Sequence, residues 1–265
     1  MEGIVSPRVT ARKGGKQEVP EHLKADYQSA SSESIELFNA AVAGSALGVR
    51  NAIAKGGRVN YFHRPEDQKN SLHVASEQGH KAVVELLLQN EAVVDCLVPS
   101  TKDTPLLLAC QNGNRDIAQI LLSNDADVNV QNCYGNSPLH EAAKTGDLGL
   151  CKLLVSEGAH ADVRNNKGSS PLHFFAYSDE KSTAIAQLLL DGGCDVDSRD
   201  AQGRTPFLLA AQAGRVEWLQ FFADEGADVA ARDNAGEDAF DIATFNKHRD
   251  ALRFIESLRT RGRGK

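Results

Sequence analysis

Large side chains are scarce in this chain. Aromatic residues make up 6% of its 265 positions, with one Trp, four Tyr and ten Phe, and there is a single Met. A core built from such a sequence has to rely on Ala, Leu and Val, which suits small, close-packed helices better than a β-sandwich. No window approaches 18 consecutive apolar residues, and Met1-Glu2-Gly3-Ile4-Val5-Ser6-Pro7-Arg8 lacks the apolar stretch of a secretory signal, so a cytoplasmic or nuclear protein is expected. Cysteine occurs only at 96, 110, 133, 151 and 194, an odd number with no C-x-x-C pair, which fits neither a disulfide framework nor a zinc ribbon. Free thiols in a reducing compartment are the simpler account. P-loop, Gly-x-Gly-x-x-Gly, Gly-x-Ser-x-Gly and His-x-x-x-His patterns are all missing, so no catalytic residue, metal site, cofactor or small-molecule substrate is expected.

With 41% hydrophobic and 25% charged residues, the composition is that of a folded protein rather than a disordered one. The net charge of −7 argues against general nucleic-acid binding, but it is unevenly spread. Residues 247–265 hold seven Lys/Arg against Asp250 and Glu256, a net +5, and residues 1–30 carry +1, which leaves −13 on residues 31–246. An electrostatic partner of this body should be cationic or neutral.

Short phrases recur along most of the chain. Asn70-Ser71-Leu72-His73 is followed by Thr104-Pro105-Leu106-Leu107, Ser137-Pro138-Leu139-His140, Ser170-Pro171-Leu172-His173 and Thr205-Pro206-Phe207-Leu208. Their Leu/Phe members lie 34, 33, 33 and 35 residues apart, and degenerate copies centre on Leu37 and Phe240. A period of this length marks a stack of supersecondary units. In four of these units Ser or Thr is placed to cap a helix and Pro to occupy its first position, where no N–H is missed. That helix ends at a glycine, as at Gly146. A second helix carries a Leu-Leu stripe, as in Leu150-Cys151-Lys152-Leu153-Leu154-Val155, and a segment such as Gly193-Cys194-Asp195-Val196-Asp197 closes the unit before a polar turn.

These Thr-Pro-Leu-His, Ala-Ala, Leu-Leu and Gly-Ala-Asp-Val-Asn elements resemble the ankyrin-repeat family over roughly residues 33–258. The resemblance implies an all-α solenoid of about seven stacked helix-turn-helix units with projecting β-hairpin-like fingers and a concave, protein-binding groove. The units fall near 33–69, 70–103, 104–136, 137–169, 170–204, 205–237 and 238–258, the first and last reading as caps. Residues 1–32, rich in Gly, Pro and Ser, read as a flexible leader, and 259–265 as a basic tail. That tail has two readings: weak contact with RNA or an anionic membrane, or complementation of the last helix dipole.

His73, His140 and His173 recur at one place in three units, and the resemblance implies that they bond backbone between units. The fifth unit replaces the small Ala pair by Phe174-Phe175-Ala176-Tyr177 and gains two residues, which reads either as a compensated packing variant or as a recognition loop. Trp218 falls on a Leu-Leu face and reads as core.

In the resembled family, partners are held by finger tips and the groove side of the first helix. Carried over residue by residue, this places Asp103, Gln111 and Asn112 in unit three and Tyr134, Asn136 and Lys144 in unit four. Lys167 and Tyr177 follow in unit five, and Gln202, Arg204 and Gln212 in unit six. Tyr134, Tyr177 and Arg204 stand out, because Tyr and Arg dominate interface hot spots. The expected molecule is therefore a non-catalytic, monomeric scaffold or adaptor for a partner protein.

Overall fold

The computed structural model describes residues 31–63, 68–176 and 183–262, with side chains as far as residue 260. Within them lie fourteen helices in seven successive pairs. The first three pairs are α1 Ser32–Val42 with α2 Ala46–Ala54, α3 Ser71–Gln78 with α4 Lys81–Gln89, and α5 Pro105–Gln111 with α6 Arg115–Leu122. Next come α7 Pro138–Thr145 with α8 Leu148–Ser156 and α9 Pro171–Phe175 with α10 Ala184–Asp191. The last two pairs are α11 Pro206–Ala213 with α12 Val216–Asp224 and α13 Ala239–Phe245 with α14 Arg249–Gly262.

Successive odd-numbered helices stack into one row from α1 to α13, and the even-numbered helices form a second row behind them. One continuous core runs between the rows, made of fully buried Leu72, Leu106, Leu139, Leu172 and Phe207 from one side and Leu87, Leu121, Leu154 and Leu189 from the other. A single helix pair is too thin to offset its conformational entropy by burial, so each unit depends on its neighbours. The hairpin-like fingers are held by turn hydrogen bonds. Among the described residues the only β pairing is two isolated antiparallel bridges, Phe62 to Asn70 and Arg232 to Asp238.

The helix starts follow the sequence grammar and divide into two chemical types. Where Leu stands three residues after the capping Thr, the hydroxyl caps directly: Leu107 N donates to Thr104 Oγ1 (3.1 Å) and Leu208 N to Thr205 Oγ1 (3.3 Å). Where His follows, the ring joins the cap, and Ser137 N and Ser170 N donate to Nδ1 of His140 (3.1 Å) and His173 (3.2 Å). At the turn within the last full unit, Gly214 sits at φ +68, and an added Cβ would meet the His248 ring at 2.6 Å. That ring needs the space, since its Nε2 bonds the Gln212 carbonyl of the preceding unit at 3.0 Å.

The fifth unit is compensated across the unit boundary. Helix α9 has only five residues, and α10 and α12 lack the close backbone approach of the other outer neighbours. Phe175 fills the space: it is fully buried and stacks on Trp218 at 4.6 Å between centroids and 23° between planes. Trp218 itself is 2% exposed, a core residue as expected. The longer loop of this unit, with Tyr177, lies outside the described residues, as does most of the expected leader.

Both ends of the array extend beyond the boundaries read from sequence. Ser31 accepts from Ser34 N (3.3 Å) to cap α1, and α14 continues to Gly262. Arg259, assigned from sequence to the basic tail, is part of the fold: its Nη2 lies 2.7 Å from Asp238 Oδ2, and its guanidinium rests 4.8 Å from the Phe240 ring centre. Beyond it, the tail side chains from residue 261 lie outside the described part.

Candidate functional site

Four fingers share one turn design. Asn132, Asn165, Asp200 and Asp233 each use Oδ1 to accept the N–H groups two and four residues on, at 2.9–3.0 Å. A side chain that takes two turn amides replaces a strand ladder as the means of fixing the tip. Neighbouring tips are then tied to each other by backbone: Cys133 N to Thr101 O (2.7 Å), Asn166 N to Tyr134 O (3.0 Å), Ala201 N to Lys167 O (2.8 Å) and Asn234 N to Gln202 O (2.9 Å). Thr101, Tyr134, Lys167 and Gln202 therefore form a row of equivalent tip residues on a braced backbone, and the last three present exposed side chains. The Tyr134 side chain is the most conspicuous, 61% exposed.

Beside the Tyr134 tip, units three and four form an open pocket of ≈ 450 Å³. Helix α7 contributes Glu141, Lys144 and Thr145, and α5 contributes Gln111, with Asp103 just ahead of it. The finger supplies Asn132, Tyr134 and Asn136. Five residues read from sequence as partner-binding thus line one cavity: Asp103, Gln111, Tyr134, Asn136 and Lys144. Asn132 and Glu141 were not among them. Their signal was the recurrence of Asn or Asp at 132, 165, 200 and 233 for the first, and for the second a carboxylate in a helix face that is otherwise apolar in neighbouring units, at Val74, Leu108 and Leu209.

The remaining expected residues are distributed differently. Arg204 is internal to its finger: its guanidinium holds Asp200, whose side chain is fully buried, at 2.7–2.9 Å. Asp103 is 8% exposed and accepts from Asn132 Nδ2 at 2.9 Å, so it is a pocket-floor residue rather than a projecting tip. Asn112 is exposed, but its Nδ2 closes the end of α5 on the Leu108 carbonyl (2.9 Å). Gln212 is exposed at the end of α11. Tyr177 lies outside the described residues.

The three repeated histidines bond backbone from unit to unit. Nε2 of His140 lies 2.9 Å from Ser169 O, that of His173 3.2 Å from Arg204 O, and that of His73 2.9 Å from Cys96 O. In His140 and His173, where Nδ1 accepts the cap N–H and lies 2.9 Å from the Ser hydroxyl, the proton sits on Nε2, which donates to the carbonyl, and the ring is neutral; in His73 Nδ1 lies 2.7 Å from Asn70 Oδ1 as well as 3.3 Å from the Asn70 N–H. Burial enforces the neutral form: it pulls His73 and His140 down to about 4 and lowers His173, while the accepting carbonyls oppose the shift without cancelling it. Burial likewise drives the Cys96 and Cys151 thiols up to about 12 and Cys194 to about 11, with Cys110 raised well above the ordinary thiol value. Only Cys133, on the Tyr134 finger, is exposed. Among the described residues, no group of three or more His, Cys, Asp or Glu is disposed to hold a metal ion, and no helix is long and apolar enough to cross a membrane.

Comparison with known proteins accords with this geometry. The family model for ankyrin repeats matches three stretches, residues 37–132, 125–200 and 172–258. No curated protein matches the chain. Among solved structures, the human ASB11 ankyrin repeat domain is similar, with a TM-score of 0.72 and 29% identity over 83% of this chain and 96% of that one. Ankyrin repeats are in general protein–protein interaction modules, typically without catalytic activity. With its period, its Ser/Thr-Pro caps and its braced fingers accounted for, the chain belongs to the ankyrin-repeat family.

Proposed function

We propose that the protein is a non-catalytic scaffold or adaptor that binds a partner protein along the row of finger tips and the adjoining face of the odd-numbered helices. The observation that carries this reading is the row Tyr134, Lys167 and Gln202: exposed side chains of aromatic, cationic and amide character on tips bonded to one another through the backbone. Bracing of this kind reduces the ordering cost of binding, and an exposed Tyr on a rigid backbone is the residue type that anchors interfaces. Lys144, Gln111 and Gln212 extend the surface from the helices, while Arg204 and Asp103 support it from within. Five unpaired cysteines suit a reducing compartment, and we place the protein in the cytoplasm.

The test is quantitative affinity capture from the native cell with the wild type, Tyr134→Ala, and Lys152→Ala on the opposite, outer row. Partners should fall about tenfold or more with Tyr134→Ala at unchanged circular dichroism, and persist with Lys152→Ala. Equal recovery with Tyr134→Ala would remove the groove reading.

A further inference from the structure

We propose that the pocket between units three and four is a subsite for one arginine side chain of the partner polypeptide; this rests on the protein-binding reading above. Two carboxylates set its character. Asp103 is 8% exposed and Glu141 6%, yet neither makes an ion pair with any Lys or Arg among the described residues. Each has one oxygen bonded by an amide, Asp103 Oδ1 by Asn132 Nδ2 (2.9 Å) and Glu141 Oε1 by Asn136 Nδ2 (2.8 Å). The second oxygen of each receives no donor from the described residues. Both second oxygens retain contact with solvent at the pocket, and a cation entering it finds two carboxylates in a partly screened site.

The amides are oriented with their nitrogens toward the carboxylates. Asn132 and Asn136 point their N–H groups at the carboxylates, and their oxygens are taken, Asn132 Oδ1 by the Tyr134 and Asn136 amides and Asn136 Oδ1 by Asn165 Nδ2 at 2.9 Å. The pocket therefore offers acceptors. Its two carboxylates come from different elements, one ahead of α5 and one within α7, and Tyr134 adds an exposed aromatic face on a pinned backbone. A guanidinium suits this set better than an ammonium, because its planar fork of five donors can serve two acceptors while stacking on a ring. The charge of −13 over residues 31–246 attracts a basic segment from a distance. Lys144, exposed at the mouth, is the one opposing charge among the lining residues.

The full chain, labelled with ¹⁵N, is titrated with Nα-acetyl-arginine methylamide and with the citrulline analogue, which keeps the shape and loses the charge. Saturable shifts are expected at the Tyr134 and Lys144 amides and the Asn132 and Asn136 side chains for arginine, at concentrations on the order of millimolar to tens of millimolar. Binding should weaken about tenfold or more with citrulline, and likewise in Glu141→Gln and Asp103→Asn that retain the wild-type circular dichroism. Lys144→Gln should tighten it. Equal shifts with citrulline, no saturable shift at these residues, or weakening by Lys144→Gln would each overturn the arginine assignment. Loss of partner capture in Tyr134→Ala alongside a silent arginine probe would remove the subsite and leave the groove reading standing; retained capture would count against the groove itself.

Discussion

Acid should loosen this solenoid at its unit boundaries well before carboxylates titrate, and the repeated histidines set the size of the effect. In the native protein the rings of His73 and His140 are neutral and titrate at about 4, against 6.5 for a free imidazole. Above pH 6.5 both native and unfolded chains carry neutral rings, and these groups confer their full stability. As pH falls below 6.5 the unfolded chain takes up protons that the native chain does not, and stability is lost until about pH 4, where the native rings also protonate. Between pH 7.5 and 5.5 the loss comes to about 1.4 kcal/mol for each of the two histidines, or about 3 kcal/mol together. His173, also lowered by burial, adds a share of the same sign. Urea unfolding at pH 7.5 and 5.5 measures this directly, and His140→Gln should reduce the pH dependence by about 1.4 kcal/mol while lowering stability at both pH values. In parallel, the His140 ring resonances should keep the neutral Nε2–H signature at pH 5.5, and those of His73 should show a neutral ring. A stability unchanged over this range, a His140→Gln variant with the wild-type pH slope, or a His140 ring that titrates near 6.5 would refute the reasoning.

Other expectations follow from the same contacts. Trp218→Ala removes the partner of the Phe175 stack and leaves a cavity at the junction of units five and six, costing about 3–5 kcal/mol in unfolding free energy; an unchanged melting temperature would show that the junction does not depend on the stack. A thiol reagent at neutral pH should modify one cysteine, Cys133, rapidly in the native protein and all five only after denaturation, as counted by mass spectrometry. Arg259→Ala breaks a partly exposed ion pair and a cation–π contact that hold α14 to α13 and should lower stability by about 1 kcal/mol; a neutral outcome would return Arg259 to the tail.

Much of the architecture was legible residue by residue. Ser137-Pro138 and Thr205-Pro206 announce helix starts because hydroxyl capping and the fixed φ of proline are local chemistry, acting within four residues. The Leu-Leu stripe marks a buried face because helical spacing alone aligns it. Recurrence every 33 to 35 residues then requires stacking, since no unit could be stable alone. The tips Tyr134, Lys167 and Gln202 came instead from the resemblance to the ankyrin-repeat family, carried over position by position.

What linear order does not contain is how one unit meets the next. Asp103 and Arg204 look like exposed polar finger residues, and only the folded turn shows the first under Asn132 and the second closed on Asp200. Phe175 reads in sequence as a large residue at a small-residue position, and what it packs on is seen only when Trp218, 43 places later, is found stacked against it. Arg259 looks like tail until α14 returns it to Asp238. Period, capping and helix faces are governed by bonds between near neighbours in sequence and were settled there. Which charges stay available to a partner depends on pairings tens of residues apart, and those exist only after the units have stacked in register.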